Sequence, residues 1–63
     1  MWIVVGMTNT NTMANQMQLA LEAEGILVKI RNVTVSSKNT TYEVLVLESE
    51  ADSAREILLE KGL

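Results

Sequence analysis

Apolar and polar positions divide the chain into runs with different periods. Trp2 to Met7 is almost wholly apolar and rich in β-branched residues. That length suits a strand, and the lack of alternation predicts burial on both faces. Thr8-Asn9-Thr10-Asn11-Thr12 follows. Each of these side chains has a short oxygen able to accept an orphan backbone N–H, which predicts a helix N-cap at Asn9, Thr10 or Asn11. From Met13 to Glu24 the period changes. Met13, Met17, Ala20 and Leu21 recur at helical spacing as one apolar stripe widened by Ala14, with Asn15, Gln16, Gln18 and Glu22 largely outside it. Gly25 stands where a left-handed residue ends a helix, and Ile26 supplies the apolar contact beyond it.

A second strand is predicted over Ile26 to Asn32, where Ile26, Val28 and Ile30 alternate with Leu27, Lys29 and Arg31. The polar stretch from Val33 to Thr40 predicts strand-like ends around a wide hairpin loop at Ser36 to Thr40. In a third strand, Thr41 to Glu48, Tyr42, Val44 and Val46 alternate with Glu43, Leu45 and Leu47. Opposite charges favour each other across strands, so Glu43 belongs on the face of Lys29 and Arg31. A slip of one residue would invert both strands. This register puts Ile26, Val28, Ile30, Tyr42, Val44 and Val46 under the helices and leaves Leu27, Leu45 and Leu47 on the other face. Ser49 is the expected N-cap of a second helix, with Glu50 and Asp52 at the positive end of its dipole. Ala51, Ala54, Ile57 and Leu58 form its buried stripe, and Gly62 ends it after Lys61.

Strand, helix, strand, strand, helix within 63 residues predicts one α+β domain over residues 1–63. The expected architecture is a ferredoxin-like split βαββα fold. It has a three-stranded antiparallel or mixed sheet in the order 1-3-2, with two helices on one face and the other face open. No sequence remains for the usual fourth strand, so the first strand is expected to be an edge.

Composition narrows the function. A core of this size supplies about 3–5 kcal/mol at most, and small domains usually add disulfides, a metal or a partner. The chain has no Cys and no His. That excludes disulfides, thiolate and imidazole metal ligands, and Ser-His or Cys-His catalysis. Self-association or very clean packing is left. A net charge of −3 with one Trp, one Tyr and no Phe argues against a nucleic-acid partner. The opening apolar run has no basic residues before it and is too short for a secretory signal or a membrane span, so a cytoplasmic location without membrane attachment is expected. On that basis the sequons at Asn32 and Asn39 are chance matches.

The short first strand, the helix end Leu21-Glu22-Ala23-Glu24-Gly25-Ile26, and Glu43-Val44-Leu45-Val46 leading to Ala54-Arg55-Glu56-Ile57-Leu58 resemble the small bacterial DUF2007 family. Its members carry the label of prokaryotic signal-transducing proteins. The resemblance covers nearly the whole chain, and its motifs are structural. It implies a regulatory domain related in fold to nitrogen-regulatory PII proteins, without catalytic residues to transfer. Where members often have Gly-Ile-Pro, this chain has Gly25-Ile26-Leu27. The long nucleotide-binding loop of PII proteins has no counterpart here.

No catalytic, cofactor or metal site is expected. Ser36, Ser37 and Lys38 suit a polar hairpin tip better than a Ser-Lys pair, because a nucleophile needs a positioned base in a sheltered site. Glu48, Glu50 and Asp52 alternate without an EF-hand continuation, and a helix N-terminus accounts for them. Gly6 before the Thr/Asn stretch lacks the further glycines and the Lys-Ser/Thr of a phosphate loop. Lys29 and Arg31, with Lys38, are the candidate contacts for an anion or acidic partner. The strongest candidate surface is the open face bearing Trp2, Val4, Leu27, Leu45 and Leu47, which with the bare first edge points to a homodimer or a protein partner. The expected function is that of a non-catalytic regulatory module acting by homodimerisation and by binding a protein or small ligand. A structural adaptor and an ACT-like amino-acid sensor, the latter with Gly6 near its ligand, are the alternatives.

Overall fold

A computed structural model of the protein describes residues 1–36 and 38–63. Its elements are β1 (Trp2–Thr8), α1 (Asn11–Glu22), β2 (Val28–Ser36), β3 (Asn39–Leu47), a 3-10 turn (Glu48–Glu50) and α2 (Ala51–Glu60). The sheet order is β1-β3-β2, and both pairings are antiparallel. The fold is thus the expected ferredoxin-like βαββα arrangement, and its sheet is antiparallel rather than mixed.

Thr10 caps α1. Its backbone is extended, and its hydroxyl oxygen accepts the Met13 N–H at 3.2 Å. Both helices end in the same way. Gly25 and Gly62 take φ of 81° and 72°, a region that costs a side-chain-bearing residue but not glycine. Beyond them, the Ile26 N–H donates to the Leu21 carbonyl at 3.1 Å and the Leu63 N–H to the Leu58 carbonyl at 2.9 Å. These are the six-to-one bonds of a Schellman stop, and Ile26 and Leu63 fold back on the core.

That use of Ile26 corrects the expected start of the second strand. Its N–H is committed to α1, so the ladder begins at Val28. The hairpin is also tighter than the wide loop expected over Ser36 to Thr40. Pairing continues through Thr34–Thr40 to Ser36–Asn39, and Ser37 lies outside the described residues. Ser49 does not cap α2. It sits exposed within the 3-10 turn, and Glu50, which makes no side-chain capping bond, precedes the helix.

The charge-based register holds: Arg31 pairs with Glu43 and Val28 with Val46. Val28, Val44 and Val46 meet Ala14, Met17 and Leu21 of α1 and Ala51, Ala54 and Leu58 of α2 in one core, with Ile3, Val5, Ile30 and Tyr42 at its margin. Both helices therefore cover the same face. The shortest principal extent is 14 Å, enough for one sheet and one helical layer, so among the described residues no second layer covers the opposite face.

Candidate functional site

The register defines the outer face. Trp2 stands opposite Leu47, and Val4 stands opposite Leu45. On the other side of β3, Lys29 is opposite Leu45 and Arg31 is opposite Glu43. Cross-strand partners share a face, so these side chains all turn away from the helices. A bulge between Val4 and Gly6 shifts the ladder, after which Met7 rejoins the outer face opposite Glu43.

Lys29 and Trp2 join the two edges. The Lys29 ammonium lies 5.5 Å from the Trp2 ring centroid, within cation–π range. One residue starts on β2 and the other on β1, so they close across β3. Beneath them Leu45 is only 3% exposed. The sequence reading made Leu45 part of an open surface; the structure corrects this, because a central-strand side chain is flanked by neighbours from both edges. Trp2 remains 37% exposed, and Val4 and Leu47 are half-buried. Leu27 is 62% exposed but precedes β2 and is not part of the ladder.

The three cations are not brought together. Arg31 directs Nε and Nη2 to the same Glu43 oxygen, each at 2.6 Å, so its charge is matched within the sheet. Lys38 lies at the hairpin tip, past the last ladder pair, in a groove with Asn9, Asn39, Thr40 and Thr41. Lys29 has no carboxylate partner among the described residues.

The bare first edge expected from the sequence adjoins a groove that the sequence did not show. A groove of about 330 Å³ runs beside Val5, Gly6 and Met7, walled by Met17, Arg55, Leu58, Leu59 and Leu63. Met7 is 62% exposed and Leu59 80%. The Leu58-Leu59 doublet was the available signal: a helix face that buries Leu58 cannot also bury its neighbour. Gly6 has a packing role here. A Cβ on it would lie 3.0 Å from the Met17 sulfur and 3.8 Å from the Val44 Cβ, so glycine admits α1 close to β1.

The remaining candidates have local roles. Glu50 lines a groove of about 400 Å³ with Glu24, Glu56 and Glu60, floored by Ile26 and Ile57. Asp52 pairs with Arg55 at 3.4 Å. Among the described residues no three carboxylates gather as a metal site, and no serine hydroxyl bonds a lysine or carboxylate side chain. No helix among them is long and apolar enough to cross a membrane. Comparison of the chain with family models, with curated proteins and with solved structures finds no match.

Proposed function

We propose that the chain is a non-catalytic regulatory domain that acts by association, two copies joining along β1 and presenting their outer sheet faces to a protein or small ligand. The observation that carries this reading is the contrast between the two sheet edges. β2 carries Lys29 and Arg31, and charges on an edge strand oppose further pairing. β1, Trp-Ile-Val-Val-Gly-Met-Thr, has no charge and no proline, and the groove beside it is walled by apolar side chains together with Arg55. A domain this small gains stability by covering such an edge. The lack of His and Cys supports a non-catalytic role. The resemblance to DUF2007 supports regulation in a bacterial cytoplasm.

Sedimentation equilibrium over a range of concentrations tests it. The wild type is expected to reach twice the monomer mass, and Met7→Lys and Leu59→Glu to remain monomeric with unchanged circular dichroism. Both residues are solvent-exposed in the single chain, so neither change disturbs its core. A wild type that stays monomeric at millimolar concentration overturns the proposal.

A further inference from the structure

Charge is segregated between the two layers. Seven of the eight acidic residues lie on the helical side: Glu22 and Glu24 at the end of α1, Glu48 and Glu50 in the 3-10 turn, and Asp52, Glu56 and Glu60 on α2. Only Glu43 is in the sheet, where it is paired with Arg31. Lys29, Arg31 and Lys38 belong to the sheet and its hairpin, and Arg55 and Lys61 to the helical side. The sheet thus stands at net +2 and the helical layer at net −5, together the −3 of the chain.

We infer that the outer sheet face docks an acidic protein segment whose apolar side chains settle on Trp2, Val4 and Leu47 while its carboxylates meet Lys29. The inference rests on the reading of the chain as an association module and names the chemistry of its partner. Charge complementarity selects that occupant. Lys29 is the cation on this face without a carboxylate partner among the described residues, and it stands over the partly exposed Trp2 ring. Two outer faces packed together would bring two net-positive surfaces into contact, so a second copy is a poor occupant. An anionic membrane or a nucleic acid would have to hold a molecule of net charge −3 with one unmatched ladder cation. A short acidic segment avoids that cost by contacting the sheet alone.

Trp2 is the one tryptophan of the chain, so its emission reports on this face directly. The probe is a capped peptide of alternating Glu and Leu, titrated against peptides of alternating Lys and Leu and of alternating Glu and Ser, and against phosphatidylserine vesicles. The Glu-Leu peptide is expected to shift Trp2 emission to the blue saturably. Its binding should weaken as salt rises and fall about tenfold in Lys29→Gln, the loss of one charge-assisted contact. Lys61→Gln, on the helical side, should bind as the wild type does. Equal binding of the Lys-Leu peptide, unchanged affinity in Lys29→Gln, a shift with vesicles alone, or no shift with any probe overturns the inference. So does open-ended, salt-sensitive growth of the protein by itself, which would mark the helical layer of another copy as the occupant. Sedimentation of the same samples separates the two proposals. Peptide binding by a strict monomer overturns the dimer alone, and a dimer without peptide binding overturns the acidic partner alone.

Discussion

Leu21 and Leu59 are the same residue type in opposite surroundings, and truncating each to alanine measures core and edge separately. Leu21 is completely buried. Its carbonyl also accepts N–H bonds from Glu24 at 3.0 Å and Ile26 at 3.1 Å, which pins the end of α1. A site held by both helices and the sheet relaxes little, so Leu21→Ala should cost about 2.7–5.0 kcal/mol. A domain of this size has about 3–5 kcal/mol in all, so one truncation matches its whole stability. Leu59 is mostly solvated, and Leu59→Ala should change the stability of the single chain by less than about 0.5 kcal/mol. In the proposed dimer Leu59 enters once from each copy. Covering a leucine contributes about 1.5–3 kcal/mol, so the truncation should raise the dissociation constant at least tenfold. Urea unfolding followed by far-ultraviolet circular dichroism, in dilute and in concentrated protein, reads both effects. Binding between folded copies makes the midpoint concentration-dependent. Leu21→Ala should be largely unfolded when dilute and recover part of its signal when concentrated. Leu59→Ala should match the wild type when dilute and lose the concentration dependence. A wild-type midpoint in Leu21→Ala, or a loss above about 1 kcal/mol in dilute Leu59→Ala, refutes the division into core and edge.

Two further predictions address the devices that set the fold. At Gly25, φ is 81° and nothing lies within 4 Å of an added Cβ. Gly25→Ala should therefore cost about 1–2 kcal/mol through backbone conformation alone, and urea unfolding should show Gly25→Asn recovering part of it. The Arg31–Glu43 pair should show a coupling of about 0.2–1 kcal/mol in a double-mutant cycle, diminishing with salt. A coupling of zero at low salt would remove the pair from the determinants of register.

The element order and the sheet order were legible because two signals agreed. The glycine stops at Gly25 and Gly62 delimit the helices, and the single carboxylate among the alternating residues of β3 settles which face of the hairpin it shares with Lys29 and Arg31. Boundaries were less legible where one residue serves two elements. Ile26 continues the apolar alternation of β2, yet its N–H and side chain belong to the end of α1. The stretch from Ser36 to Thr40 reads as a wide loop because polarity usually marks the end of a strand. Here the hairpin carries on past its buried part, Val28–Ile30 against Val44–Val46, and polar residues there keep their ladder bonds. At the candidate site, the residues that share the outer face followed from alternation, but their exposure did not. Leu45 is buried between cross-strand partners on both sides, Val4 on β1 and Lys29 on β2, a three-strand arrangement that no pairwise periodicity contains. Met7 and Leu59 are far apart in the chain, and only the packing of α2 beside β1 makes them one surface.

The two edges also bear on how far association can go. A strand edge that pairs with any other edge gives an open sheet that grows without limit. Here the edges differ in kind, because alternation brought Lys29 and Arg31 to β2 and left β1 uncharged. In the proposed dimer the two β1 edges meet about a twofold axis, an isologous contact that uses the same patch on each copy and so closes on itself. The strands left outermost are then the two copies of β2, whose cations repel a third chain. The bulge at Val4–Gly6 also limits growth, because a bulged and more strongly twisted edge accepts fewer pairing partners. Growth past the dimer would need β2 to lose its charge, so Lys29→Val combined with Arg31→Val should convert a closed dimer into larger species by sedimentation, whereas either edge alone, left as it is, should not.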